Sequence, residues 1–161
     1  MFSSLGARVA DAQVLDLFAG SGSLSIESLS RGASAATLVE HDRRVLEVLR
    51  KNVDRLGLTA ECRLVRGDAL ELLERGALGG PFDVVFVDPP YASGLAVRAL
   101  ELLDASGSLA DDATVVVERA TSDVSHAVTG RFELQRSRRY GSTTVDFYGA
   151  RAEGAVREEE S

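Results

Sequence analysis

The chain holds one cysteine, Cys62, so no internal disulfide and no structural zinc built on several thiolates can form. Such a chain suits a reducing compartment. It also lacks a basic stretch followed by an apolar core after Met1, and no apolar run approaches the ~20 residues that span a bilayer. These absences predict a cytoplasmic protein with no membrane partner. Positive charge is scarce as well: 18 Lys and Arg stand against 25 Asp and Glu, a net charge of −7 over 161 residues. An acidic chain can still bind nucleic acid where its basic residues cluster. One cluster is present: "RFELQRSRRY" (131 to 140) carries Arg131, Arg136, Arg138 and Arg139 against Glu133 alone. The closing "RAEGAVREEES" (151 to 161) is glutamate-rich and reads as a mobile acidic tail. Residues 1 to 150 read as one domain, since 45% hydrophobic and 27% charged residues are the composition of a globular unit with a real core.

What the chain does contain is a regular alternation. Apolar runs of strand length alternate with helix-period segments from residue 14 to about 119, the pattern of a parallel sheet covered by helices on both faces. The strands are expected at "VLDLF" (14 to 18), "ATLVE" (36 to 40), "CRLVRG" (62 to 67), "DVVFVD" (83 to 88) and "TVVVER" (114 to 119). Two helices stand out between them, "SLSIESLSRG" and "DRRVLEVLRKNVDRLGL", each with the glycine expected past a helix C-terminus. After Arg119 the alternation stops. "FELQRSRRYGSTTVDFY" reads as two strands joined by a short turn near Gly141, with no room for a crossover helix, hence an antiparallel hairpin.

Four stretches carry chemistry. "VLDLFAGSGSLSIE" (14 to 27) sets Gly20 and Gly22 between the first strand and first helix, where backbone amides can approach a ligand closely. A nicotinamide-binding loop would place a third glycine three residues after the second, but Ser25 stands there. Asp16, an acid within the first strand, suits a cationic ligand group better than a pyrophosphate. Glu40 and Asp68 follow at the ends of the next two strands, the edge where open parallel sheets bind ligands. Glu40 is placed to accept hydrogen bonds from ribose hydroxyls and Asp68 from an exocyclic adenine amine; either acid alone could equally be a helix cap or a solvated loop carboxylate. His41 reads either as a nucleoside contact or as a surface histidine.

The fourth stretch is "FDVVFVDPPY" (82 to 91), a strand running into an acid, two of the chain's three prolines and a ring. In this topology it ends beside the glycine loop. Adjacent prolines fix φ and leave their carbonyls free to accept. Asp88 and the Pro89 carbonyl could accept both N–H groups of a base amine, Pro90 stiffens the turn, and Tyr91 could stack on the base, an interaction worth roughly 1–3 kcal/mol. Catalysis would then be mainly positioning, with no metal required.

These motifs resemble those of the Rossmann-type S-adenosylmethionine-dependent amino methyltransferases, whose [DNS]-P-P-[YFW] signature "DPPY" matches in full. "LDLFAGSGSLSIESLSRGA", "VEHDRRVLEVLRKN", "VVVERA" and "RRYGSTTVDFY" further resemble the bacterial RsmD-type 16S ribosomal RNA guanine-N2 methyltransferases, across Phe2 to about Tyr148. The resemblance implies an α/β class I fold, a seven-stranded mostly parallel sheet in the order 3-2-1-4-5-7-6 with strand 7 antiparallel. It implies S-adenosyl-L-methionine as cofactor, held by Asp16, Phe18, Ala19, Gly20, Ser21, Gly22, Ser23, Glu40, His41, Asp68 and Ala69. Asp88, Pro89, Pro90 and Tyr91 would hold the guanine amine of 16S rRNA or of a small-subunit particle, and the protein would act as a monomer. The basic hairpin end, Arg138, Arg139 and Tyr140, is expected at the active-site rim as an RNA contact. Members of this family usually begin with a glycine- and arginine-rich hairpin, whereas this chain opens at "MFSSL", so that segment is expected to be lacking. Adenine-N6 or glutamine-amide methylation, and a non-catalytic cofactor-binding adaptor, are the competing readings.

Overall fold

The computed structural model describes residues 1–90, 94–122 and 130–150. A short helix α1 (Phe2–Leu5) and a 3-10 turn (Gly6–Val9) precede the first strand. Then follow β1 (Gln13–Asp16), α2 (Ser23–Ser30), β2 (Ala35–Glu40), α3 (Arg43–Arg55), β3 (Cys62–Arg66), α4 (Ala69–Glu74), β4 (Phe82–Val87), α5 (Leu95–Ser106), β5 (Leu109–Ala120), β6 (Phe132–Tyr140) and β7 (Thr143–Ala150). The strands form one sheet in the order β3-β2-β1-β4-β5-β7-β6, with only β7 antiparallel to its neighbours. This is the Rossmann-like class I methyltransferase arrangement that the motifs imply.

The central strands are apolar on both faces because both faces are covered. Odd-numbered residues Leu15, Val85, Val87, Val115 and Val117 pack with Leu73, Ala99, Leu100 and Leu103 of α4 and α5. Even-numbered residues Val14, Val84, Phe86 and Val116 pack with Leu46, Leu49 and Val53 of α3 and with Leu5 and Val9 at the amino end. α3 buries these three positions at helical spacing and starts where Asp42 caps it, accepting from the Arg44 and Val45 amides at 2.8 and 3.2 Å. Phe2 adds a tilted ring contact to Phe86 at 6.0 Å, and the Arg31 guanidinium lies 5.1 Å over the Phe2 ring.

Three elements differ from the sequence expectation. α1 is four residues long and α4 six, too short for a helical period to be visible. β5 begins at Leu109, five residues before the expected start, because its pairing with β4 shifts register between Phe82 and Val84. That irregularity admits the polar pair Asp111 and Asp112, which breaks the apolar run in the sequence. The hairpin is as expected: β6 and β7 meet in a two-residue turn at Gly141, whose φ of 63° suits glycine. Since β6 runs with β5, and Ala120 pairs with Thr143, the turn emerges at the carboxyl edge of the sheet.

Candidate active site

At the carboxyl ends of β1, β2, β3 and β4 lies a cleft of about 370 Å³. Phe18, Ala19, Gly20, Ser21, Ser23, Glu40, His41, Asp68, Ala69, Asp88 and Pro90 all line it, as the motifs suggest. So do Leu17, Leu24, Val39 and Gly67, ordinary apolar or small residues with no signal of their own in the sequence. Asp16, Gly22 and Pro89 do not reach its wall. Tyr91 lies outside the described residues, as does the acidic tail from 151 to 161.

The glycine loop is held from three sides. Gly22 caps α2 in the left-handed region, φ 83°, and a Cβ there would clash with Leu49 Cδ1. Asn52 donates to the Ser21 carbonyl at 3.3 Å from α3. Glu40, 8% exposed, accepts from the Gly20 amide through Oε2 and from the Asp42 amide through Oε1, both at 3.0 Å. Each carboxylate oxygen has a second lone pair, so Glu40 fixes the loop and still offers acceptors to the cleft. His41 is exposed, with Nδ1 3.4 Å from Glu40 Oε1. Asp68 combines the two roles left open by its sequence position: it caps α4, accepting from the Glu71 amide at 3.0 Å, and also lines the cleft.

Asp16 sits behind this wall, 1% exposed. The Ser25 hydroxyl donates to its Oδ2 at 2.9 Å, which explains why a serine occupies the third-glycine position, while among the described residues only the Phe18 backbone comes near enough to ease the rest of the carboxylate. Burial pushes its carboxyl up to about 7; the Ser25 bond opposes this, and the nearby Asp88 and Glu40 charges add to it.

Asp88 follows β4 at the edge of the cleft and is half-buried. Its carboxyl is raised to about 6, first by desolvation and then by the charge and hydrogen bond of Glu118. Glu118, at the end of β5, was not singled out by the motifs, although it stands in "VVVERA". Because Val87 pairs with Val117, Asp88 and Glu118 leave the sheet side by side.

Arg138, Arg139 and Tyr140 end β6 at the same edge and are all exposed. They are three strand spacings from β4, about 14 Å, and form a flank of the site. Their side chains alternate. Arg138 lies across from Val145, which itself pairs with Glu118; Arg139 lies on the opposite face and donates from Nε to the Gly141 carbonyl at 3.1 Å. The Tyr140 hydroxyl accepts from the Met1 ammonium at 3.0 Å. Among the described residues no group of three or more His, Cys, Asp or Glu side chains could hold a metal ion, and no helix is long and apolar enough to cross a membrane.

The Asp16 carboxyl generates a pH signature. Its folded pKa of about 7 lies well above the ordinary aspartate value of 3.8, so the fold favours the neutral form. That contribution is complete below about pH 4 and is lost as pH rises to about 7. Asp16→Asn stays neutral and keeps an acceptor for Ser25. Urea unfolding is expected to show that the mutant loses less unfolding free energy than the native chain between pH 4 and 7, the difference being on the order of 2–4 kcal/mol. Parallel pH profiles for the two chains would contradict the assignment.

The profile of the family described as Conserved hypothetical protein 95 matches residues 1–149. Ribosomal RNA small subunit methyltransferase D of Escherichia coli (strain K12) is 38% identical over 154 residues, covering 96% of this chain and 76% of that protein. The solved structure of yhhF from Escherichia coli superposes with a TM-score of 0.88 at 38% identity, covering 94% and 84% of the two chains. A conserved hypothetical protein from Streptococcus pyogenes gives a TM-score of 0.85 at 34% identity, covering 92% of each. Over nearly its whole length, then, this chain belongs to the Conserved hypothetical protein 95 family, that of the RsmD-type ribosomal RNA methyltransferases.

Proposed function

We propose that this protein transfers a methyl group from S-adenosyl-L-methionine to the exocyclic N2 amine of a guanine in 16S rRNA. The observation that carries the reading is the position of Asp88, which lines the same cleft as the glycine loop and Glu40. Family membership supports rRNA methylation as the wider activity.

The residues of the cleft fit the cofactor. A Cβ on Gly20 would meet no protein atom within 4 Å, so the loop leaves open space at that wall. Glu40 and Asp68 offer acceptors for ribose hydroxyls and for an adenine amine, and the buried Asp16 charge favours a cationic ligand. When bound, S-adenosyl-L-methionine supplies a methyl group made electrophilic by its sulfonium. Asp88 and the Pro89 carbonyl accept the two N–H bonds of the guanine amine and hold its nitrogen in line for attack. Tyr91 stacks on the base. As the nitrogen gains a methyl group it loses a proton, and Asp88, whose carboxyl is lifted to about 6, is a better acceptor for that proton than a fully solvated aspartate. Arg138, Arg139 and Tyr140 hold the RNA backbone and carry no sequence information.

The direct test is methyl transfer from labelled cofactor to 16S rRNA and small-subunit particles, followed by nucleoside analysis. N2-methylguanosine is the expected product; N6-methyladenosine or labelled protein would replace this reading with another. Asp88→Ala is expected to lower kcat by roughly a hundredfold or more with cofactor affinity changed no more than a few-fold; normal turnover would remove Asp88 from the chemistry. Arg138→Ala with Arg139→Ala is expected to weaken RNA binding and reduce the salt slope by roughly 2, leaving cofactor binding intact. An unchanged slope would make these arginines mere surface.

A further inference from the structure

Among the described residues, Glu118 is a carboxylate at the carboxyl edge to which the reading above gives no task, and its place is specific. It lies one strand beyond Asp88, on the side of β4 away from β1 and the glycine loop. Val87 pairs with Val117, and Phe86 and Val116 share one face of the sheet, so Asp88 and Glu118 continue that face side by side. Glu118 is close enough that its charge and side chain act on the Asp88 carboxyl. The adjacent Arg119 turns to the other face, where its Nε donates to Asp146 Oδ2 at 2.7 Å. Two carboxyls held together in a half-buried corner repel each other and lose solvation, an arrangement that a ligand with two adjacent donors relieves.

The cofactor cleft occupies the ends of β1 to β4, so a base reaching Asp88 approaches over the end of β5. Guanine presents the N1–H and the N2 amine next to each other on its Watson–Crick edge. Adenine flanks its amine with an unprotonated N1, an acceptor. We propose that Glu118 is a specificity residue of the same site: it accepts a hydrogen bond from guanine N1–H while Asp88 accepts one from the N2 amine, so that the pair selects guanine. The inference rests on the guanine-N2 reading and extends it to the means of discrimination.

The test uses the full chain and RNA fragments carrying the methylated position, synthesised with guanine or with 2-aminopurine there. 2-Aminopurine keeps the N2 amine but has an acceptor at N1. The native protein should use the 2-aminopurine RNA about a hundredfold less well in kcat/KM. Glu118→Gln, whose amide can donate to an N1 acceptor, should narrow that ratio at least about tenfold. Glu118→Ala should narrow it too, by slowing guanine more than 2-aminopurine. Calorimetric cofactor affinity should remain unchanged in both variants. A ratio equal to the native one in both variants, with N2-methylguanosine still formed by the native chain, overturns the role of Glu118 alone. No N2-methylguanosine from the native chain overturns the parent reading and this one together.

Discussion

Five of the seven strands are mutually parallel neighbours and end at one edge, and the chain ends or leaves those strands with Asp16, Glu40, Asp68, Asp88 and Glu118. Bringing so many carboxylates to one edge is costly where they are buried, because a buried carboxylate loses water and neighbouring like charges repel. The rest of the site is organised around that cost. Ser25 holds one oxygen of Asp16, two backbone amides hold Glu40 and the Glu71 amide holds Asp68, whereas Glu118 adds a like charge beside Asp88. Burial dominates at Asp16 and Asp88, whose carboxyls are displaced upward to about 7 and about 6. A ligand that brings positive charge or N–H donors supplies what the protein leaves out.

The loop and the helices make this edge rigid enough to use. Leu49 leaves no room for a side chain at Gly22, Asn52 ties down Ser21, and Glu40 ties down Gly20, so the loop is anchored from α3 and β2 at once. Packing on the two sheet faces extends that constraint to the flank. β7 returns antiparallel between β5 and β6, which carries the Gly141 turn and its arginines to the edge that holds Asp88. Buried Asp146 ties the two flanking strands together, accepting from Arg119 at 2.7 Å and from Ser137 at 2.5 Å.

The sheet was legible in the sequence because its strands are covered on both faces and read as continuous apolar runs, as in "VVFV", while α3 shows a full helical period. Short elements and a register shift hid α1, α4 and the start of β5. The polar half of the cleft was legible for a related reason: an acid or a glycine at a strand end breaks an apolar run and so announces itself. Leu17, Leu24 and Val39 look like core residues and line the cleft only because the loop turns away above them. Asp16 was expected to face the ligand and instead stands behind the wall, since its side chain points to the sheet face that α2 covers through Ser25. Glu118 went unassigned because nothing local distinguishes a glutamate in "VVVERA"; only the pairing of Val117 with Val87 sets it beside Asp88.

An acidic edge of this kind favours a cationic nucleoside cofactor over a dinucleotide. Isothermal titration calorimetry of the chain with S-adenosyl-L-methionine and, separately, with NAD tests it most directly. The predicted result is saturable binding of S-adenosyl-L-methionine near neutral pH and no binding of NAD. Saturable NAD binding with no S-adenosyl-L-methionine signal would contradict it.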